Sequence, residues 1–200
     1  MSRLFLAALL AALGGCSGLS LAPTQAEQYL VLDVPMSRST TKSTRREGSL
    51  LLAPTTTPAF YDTQDIAFSK SAGTRGRYQF SHWTEPPGQR IGNLIAARLQ
   101  AGGAFRSVAA SNGGVRGRWL LRTQVDEIYH DASSSPGTAR LVLTAELTDP
   151  SKRELVARRR FSAAVPATSF DAEGAAQGLS TGLAQVLDEL AAWVEASAVD

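Results

Sequence analysis

Apolar positions change period several times along the chain, and each change marks an element. An unbroken apolar run reaches from Leu4 to Leu13, bounded by Arg3 before it and by Gly14-Gly15 after it. Residues 17–28 are small and polar with no apolar period. Tyr29-Leu-Val-Leu-Asp-Val34 and Ser49-Leu-Leu-Leu-Ala53 are short apolar runs closed by Pro35 and Pro54, and they read as buried strands. Between Phe60 and Phe68 there are aromatics but no clean period, and Lys70 to Gly76 has turn composition. Tyr78 to Trp83 reads as a strand. Pro86-Pro87-Gly88 suits the first turn of a helix, where a missing N–H costs nothing. Ile91, Leu94, Ile95 and Leu99 then recur on one helical face, and Gly102-Gly103 provides the stop.

The second half is more regular. Strands are expected over Phe105–Ala109, Trp119–Tyr129, Ala139–Thr148 and Leu155–Phe161. The intervening Asn112-Gly113-Gly114, Ser133-Ser-Ser-Pro136-Gly137 and Asp149-Pro150-Ser-Lys are turn compositions suited to antiparallel neighbours. Ala139, Leu141, Leu143, Ala145 and Leu147 alternate with mostly polar residues, so one face of that strand packs. From Asp171 onward, with Asp171 or Thr168 able to cap the start, Ala175, Leu179, Leu183, Val186, Leu187, Leu190 and Val194 repeat at three and four residues. The expected class is α+β: a mainly antiparallel β-sheet packed against two α-helices, the C-terminal one long and amphipathic. One domain is expected over 29–197. Ser37 to Arg46 is polar and cationic and is expected to be a mobile loop.

The first apolar run changes the biology. At ~1.5 Å per residue in a helix it covers about half of a ~30 Å hydrocarbon core, too short for a durable span. With Arg3 before it and small residues after it, it reads as a secretory signal over 1–15. Leu13-Gly14-Gly15-Cys16 resembles the lipobox of bacterial lipoproteins, in which the cysteine is acylated and becomes the first mature residue. Cys16 is the single cysteine of the chain, so no intramolecular disulfide competes for it. Acyl chains contribute ~0.8 kcal/mol per buried methylene, which makes such an anchor effectively permanent. Residues 16–28 then form a lipidated cysteine and tether. Ser17 stands where an aspartate would favour retention at the inner membrane, so the periplasmic face of the outer membrane is expected.

Charge is almost balanced, at +2 for the 200-residue chain, and losing the signal with Arg3 leaves +1. That excludes the basic stripe a nucleic-acid partner requires. His82 and His130 are the two histidines, and no HxxxH, HExxH, CxxC or G-x-S-x-G pattern accompanies them. No catalytic residue, metal or cofactor is therefore expected, and both histidines read as half-exposed strand residues. Arg158-Arg159-Arg160 alternates across a strand, so Arg158 and Arg160 share one face and Arg159 takes the other. Aromatics cluster in one part of the chain: Phe60, Tyr61, Phe68, Tyr78 and Trp83 are candidates for a partner-binding patch, against a default of core packing.

Several of these segments resemble, in order and spacing, the ABC-type transport auxiliary lipoproteins, which include the PqiC-type partners of MCE-domain lipid transporters. The similarity runs through Tyr29-Leu-Val-Leu, Phe60-Tyr61-Asp-Thr-Gln-Asp-Ile66-Ala-Phe68, Tyr78-Gln-Phe80-Ser-His82-Trp83-Thr-Glu-Pro86-Pro87, Leu99-Gln-Ala-Gly-Gly-Ala-Phe105-Arg-Ser-Val108 and the closing helix near Trp193. Phe68 departs from the pattern, standing where the family commonly has tyrosine. The resemblance implies an outer-membrane lipoprotein that docks an MCE-domain protein and, through it, an ABC permease and ATPase. Lipid movement between membranes would be the task, without hydrolysis by this chain. Two other expectations stand beside it: a periplasmic lipoprotein that itself shelters an acyl chain between sheet and long helix, and an envelope hydrolase.

Overall fold

The computed structural model describes residues 26–35 and 46–199. The expected signal, Cys16 and almost all of the tether lie outside the described residues, as does the basic loop except Arg46. In chain order the elements are β1 (Gln28–Leu30), β2 (Leu50–Leu52), β3 (Asp65–Ser69), β4 (Gly76–Trp83), α1 (Pro87–Gly102), β5 (Val108–Ala110), β6 (Trp119–Asp131), β7 (Thr138–Asp149), β8 (Glu154–Pro166) and α2 (Ala172–Ser197). The class is α+β, and the single sheet is mixed.

Its frame is the antiparallel meander β6–β7–β8. On β7, Ala139, Leu141, Leu143, Ala145 and Leu147 are buried while their alternates are half-exposed, as the period of two requires. α2 covers this face. Asp171 caps it, accepting from the Gly174 N–H at 2.8 Å, and all seven stripe residues from Ala175 to Val194 are at most 2% exposed. α1 packs beside α2 with Ile91, Leu94, Ile95 and Leu99 in the same core. Gly103 ends α1 in the left-handed region at φ 66°, which glycine adopts without a Cβ penalty. Arg98 on α1 is buried and pairs with Asp188 on α2 at 2.8 Å.

The other edge of β6 departs from expectation. Asn112-Gly113-Gly114 does not make a hairpin: β5 pairs in parallel with β2, and β2 pairs in parallel with β6, so β2 lies between them. The strand expected over Phe105–Ala109 shrinks to Val108–Ala110, and Phe105 instead packs edge-on against Trp119 at 5.8 Å. Residues 50–69 run beside β6 as one interrupted parallel strand, touching it at Leu50↔Trp119, Thr56↔Gln124 and Phe68↔His130. Between the last two contacts the chain leaves the edge in a turn. That excursion explains why Phe60 to Gln64 has no strand period.

β1 is likewise shorter than the Tyr29–Val34 run. Leu32 and Val34 remain buried beyond it, and the Leu32 carbonyl accepts from Arg90 Nε at 2.8 Å where a ladder partner would be. Arg46 bridges to Phe105 and donates to the carbonyl of Glu195.

Candidate functional site

Two features stand apart from the core: an aromatic row at one end of the sheet, and a groove beside α1.

The end in question is where β3 and β6 finish, β4 and β7 begin, and α2 starts. Here Phe170, His130, Tyr78 and Phe68 follow one another at ring-centroid separations of 5.9, 6.3 and 5.0 Å. The Lys70 ammonium lies 5.5 Å over the Phe68 ring, a cation–π arrangement. His130 is fully buried, which corrects the half-exposed expectation; His82 is half-buried and 3.3 Å from Asp65. A carbonyl only accepts, so the 2.9 Å contact of His130 Nε2 with the Pro136 oxygen puts a hydrogen on Nε2. Nδ1 is then left to accept the Tyr78 hydroxyl, at 2.7 Å, when the ring carries one proton. Gly137 makes this possible: it sits at φ 87°, and a Cβ there would lie 2.1 Å from Nε2. Burial, with the Asp171 charge nearby, pushes the Tyr78 phenol up to about 12. Asp171 itself is held below the ordinary carboxylate range by the Gly174 N–H and the Ser169 hydroxyl.

Of the five aromatics singled out from the sequence, Tyr61 and Trp83 are buried core members, while Phe60, Phe68 and Tyr78 are half-buried. They do not form one patch. Phe60 packs edge-on against Tyr61 and carries the Arg77 guanidinium 4.4 Å over its face; Phe68 and Tyr78 belong to the row. Phe170, 52% exposed, was not singled out. Its position just before the N-cap suggests a staple against the helix's first turns, whereas its ring lies against His130.

The groove has a volume of about 420 Å³ and runs between α1 and the β2–β5 edge. Leu52, Pro54 and Val108 line one wall, Ala96 and the amides Asn93 and Gln100 the other, and Asp62 is its one charged residue. Gln100 Nε2 donates weakly to the Val108 carbonyl at 3.4 Å.

By contrast, α2 lies close against the sheet where its glycines face β7 and β8. A Cβ on Gly178 would stand 2.8 Å from the Ala139 Cβ, and one on Gly182 would stand 3.0 Å from the Ala163 Cβ. The arginine run divides as the strand period demands: Arg158 meets Glu146 and Arg160 meets Asp126 on the outer face, while Arg159 meets Glu189 of α2. Among the described residues no three His, Cys, Asp or Glu side chains come together as a metal site. No described helix is long and apolar enough to cross a membrane.

A sequence model of the family described as ABC-type transport auxiliary lipoprotein component matches residues 30–191. No curated protein sequence matches the chain. Among solved structures, protein XCC0632 from Xanthomonas campestris is similar at TM-score 0.77 and 22% identity, over 84% of this chain and 95% of that one. An uncharacterized protein is similar at TM-score 0.68 and 16% identity, over 85% and 99%. Protein CT253 from Chlamydia trachomatis is similar at TM-score 0.55 and 9% identity, over 76% and 98%. At such identities these likenesses establish the fold alone.

Proposed function

The chain belongs to the family of ABC-type transport auxiliary lipoprotein components, and from that premise we propose that it works as a docking subunit held at the periplasmic face of the outer membrane by acylated Cys16. Its partner is an MCE-domain protein and, through that protein, an ABC permease and ATPase moving lipid between membranes. The family match over 30–191 carries this reading. The work is positional: a permanent anchor raises the local concentration of the domain near a partner arriving from the inner membrane, so a modest intrinsic affinity suffices.

Docking is favoured over sheltering an acyl chain by the packing of α2. The layer between α2 and β7–β8, where a chain would have to lie, is already filled by Ala139, Ala163, Ala175, Ala176 and Leu179. Surfaces for a partner are the groove beside α1 and the Phe60–Arg77 pair.

A photocrosslinking amino acid at Asn93 and, separately, at Phe60, in the full-length lipoprotein in living cells, tests the reading. An MCE-domain protein is expected in the crosslinked product from at least one position. Recovery of none from either position sinks it. Native mass spectrometry of the detergent-extracted lipoprotein is expected to show no phospholipid beyond its own acyl chains.

A further inference from the structure

We propose that the sheet end bearing Phe170, Phe68 and Lys70 rests on the lipid surface that holds the anchor, with the Phe170 ring seated among the headgroups. The inference deepens the docking reading and rests on acylation of Cys16.

Chain direction is the first observation. β1 pairs in parallel with β4, with Gln28 opposite Ser81 and Leu30 opposite Trp83. The chain therefore enters β1 from the side of the Gly76 end of β4, which is the end carrying the aromatic row. Cys16 precedes Gln28 by 12 residues (28 − 16), a reach of at most ~40 Å. The five steps from Ser81 back to Gly76 span ~17 Å, so about 23 Å of that reach is left over and a lipid surface at the aromatic end lies within range of the anchor.

The surface chemistry is the second. Phe170 leaves half of its surface in water at the tip of the loop joining β8 to α2. Its ring packs edge-on at 5.9 Å against His130, which is fully buried and hydrogen-bonded at both ring nitrogens. Beside it the loops present Ser133, Ser134, Ser169, Ala72 and Gly73, which lose little by entering a headgroup layer. Lys70 is exposed, and its amphipathic stem with the aromatic row is the composition of membrane-interface belts. Two nearby carboxylates are engaged within the protein: Asp131 with Arg140 at 2.8 Å, and Asp171 with the start of α2. Glu173, in the first turn of α2, keeps this end from being strongly cationic. The contact is therefore apolar seating aided by the anchor, not a polybasic attraction.

The consequence is an orientation. β4 and β5 stand far apart in the strand order, with β3, β6 and β2 between them. A partner in the groove beside α1 and a bilayer at the aromatic end do not compete.

Because Cys16 is the only cysteine and is consumed by lipid, a second cysteine is labelled uniquely. The full-length lipoprotein is reconstituted in phosphatidylethanolamine–phosphatidylglycerol vesicles with a spin label at Phe170→Cys, at Ala72→Cys on the neighbouring loop, or at Lys152→Cys at the opposite end. The expected result is a several-fold lower collision rate with a water-soluble nickel chelate, and a higher one with oxygen, at 170 and 72 than at 152. Ala72 is a surface position, so its readout stands even if Phe170→Cys loosens the fold. Protein that floats with the vesicles but is as aqueous at 170 and 72 as at 152 overturns the orientation and leaves the anchor intact. Protein that does not float overturns the anchor reading, and this inference with it.

Discussion

The closed contact between α2 and the sheet can be measured at Gly178. Glycine inside a helix ordinarily costs ~1 kcal/mol relative to alanine, so filling it should stabilise unless space is lacking. Here the new Cβ would meet the Ala139 Cβ at 2.8 Å and the Pro166 carbonyl at 3.4 Å. The first contact is well inside van der Waals distance, and its partner is a core strand atom without rotamer freedom. Overpacking of this kind costs ~1–3 kcal/mol. Gly178→Val, with three added carbons and a weaker helix preference than alanine, should lose about 2–3 kcal/mol. At roughly 2–4 °C per kcal/mol for a domain of this size, Tm should fall by about 4–12 °C. Urea unfolding of the mature protein in detergent, followed by circular dichroism, reads the loss directly. A cycle with Ala139→Gly adds the decisive arm: removing the opposing Cβ makes room, so Gly178→Ala should be better tolerated in the Ala139→Gly background, with a coupling of about 1 kcal/mol. A Gly178→Val protein as stable as the parent, or a cycle with no coupling, would refute the closed layer and return the acyl-sheltering reading to contention.

Three further outcomes are expected. Asp171→Ala removes the cap of α2 and should cost ~1 kcal/mol. Because the folded state lowers the Asp171 pKa, its contribution is complete above the unfolded carboxylate range and is lost as pH falls through the folded value; urea titrations from neutral pH downward should be flatter in the variant. Tyr78→Phe strips the hydroxyl from buried His130 Nδ1 and should cost ~1–3 kcal/mol. In the parent, the Tyr78 pKa pushed up to about 12 means that stability declines as pH rises from about 10, the unfolded phenol value, towards it, a decline the phenylalanine variant should lack. Cys16→Ala should abolish incorporation of radiolabelled palmitate and release the protein from the membrane fraction; unchanged labelling would contradict the anchor.

What was legible in the sequence is what short-range periodicity encodes. The stripes Ile91–Leu99 and Ala175–Val194, the Gly103 stop and the β6–β7–β8 meander each depend on residues a few positions apart, so the pattern and the physics share one length scale, while of the two caps available to α2, Asp171 and Thr168, the structure uses Asp171. The same holds for Arg158, Arg159 and Arg160, whose alternation follows from the pleat. Tertiary structure alone decided the rest. The insertion of β2 between β5 and β6 joins strands of three residues to a longer neighbour, and three residues are too few to carry a period, whereas Asn112-Gly113-Gly114 advertises a hairpin that is not made. Likewise the contact between Tyr78 and His130 spans 52 residues, and the exposure of Phe170 beside a locked histidine depends on where three separate loops end. Pairing of distant backbone groups is chosen by which arrangement buries the whole core and satisfies every ladder at once, a sum over the fold that no local run of residues contains.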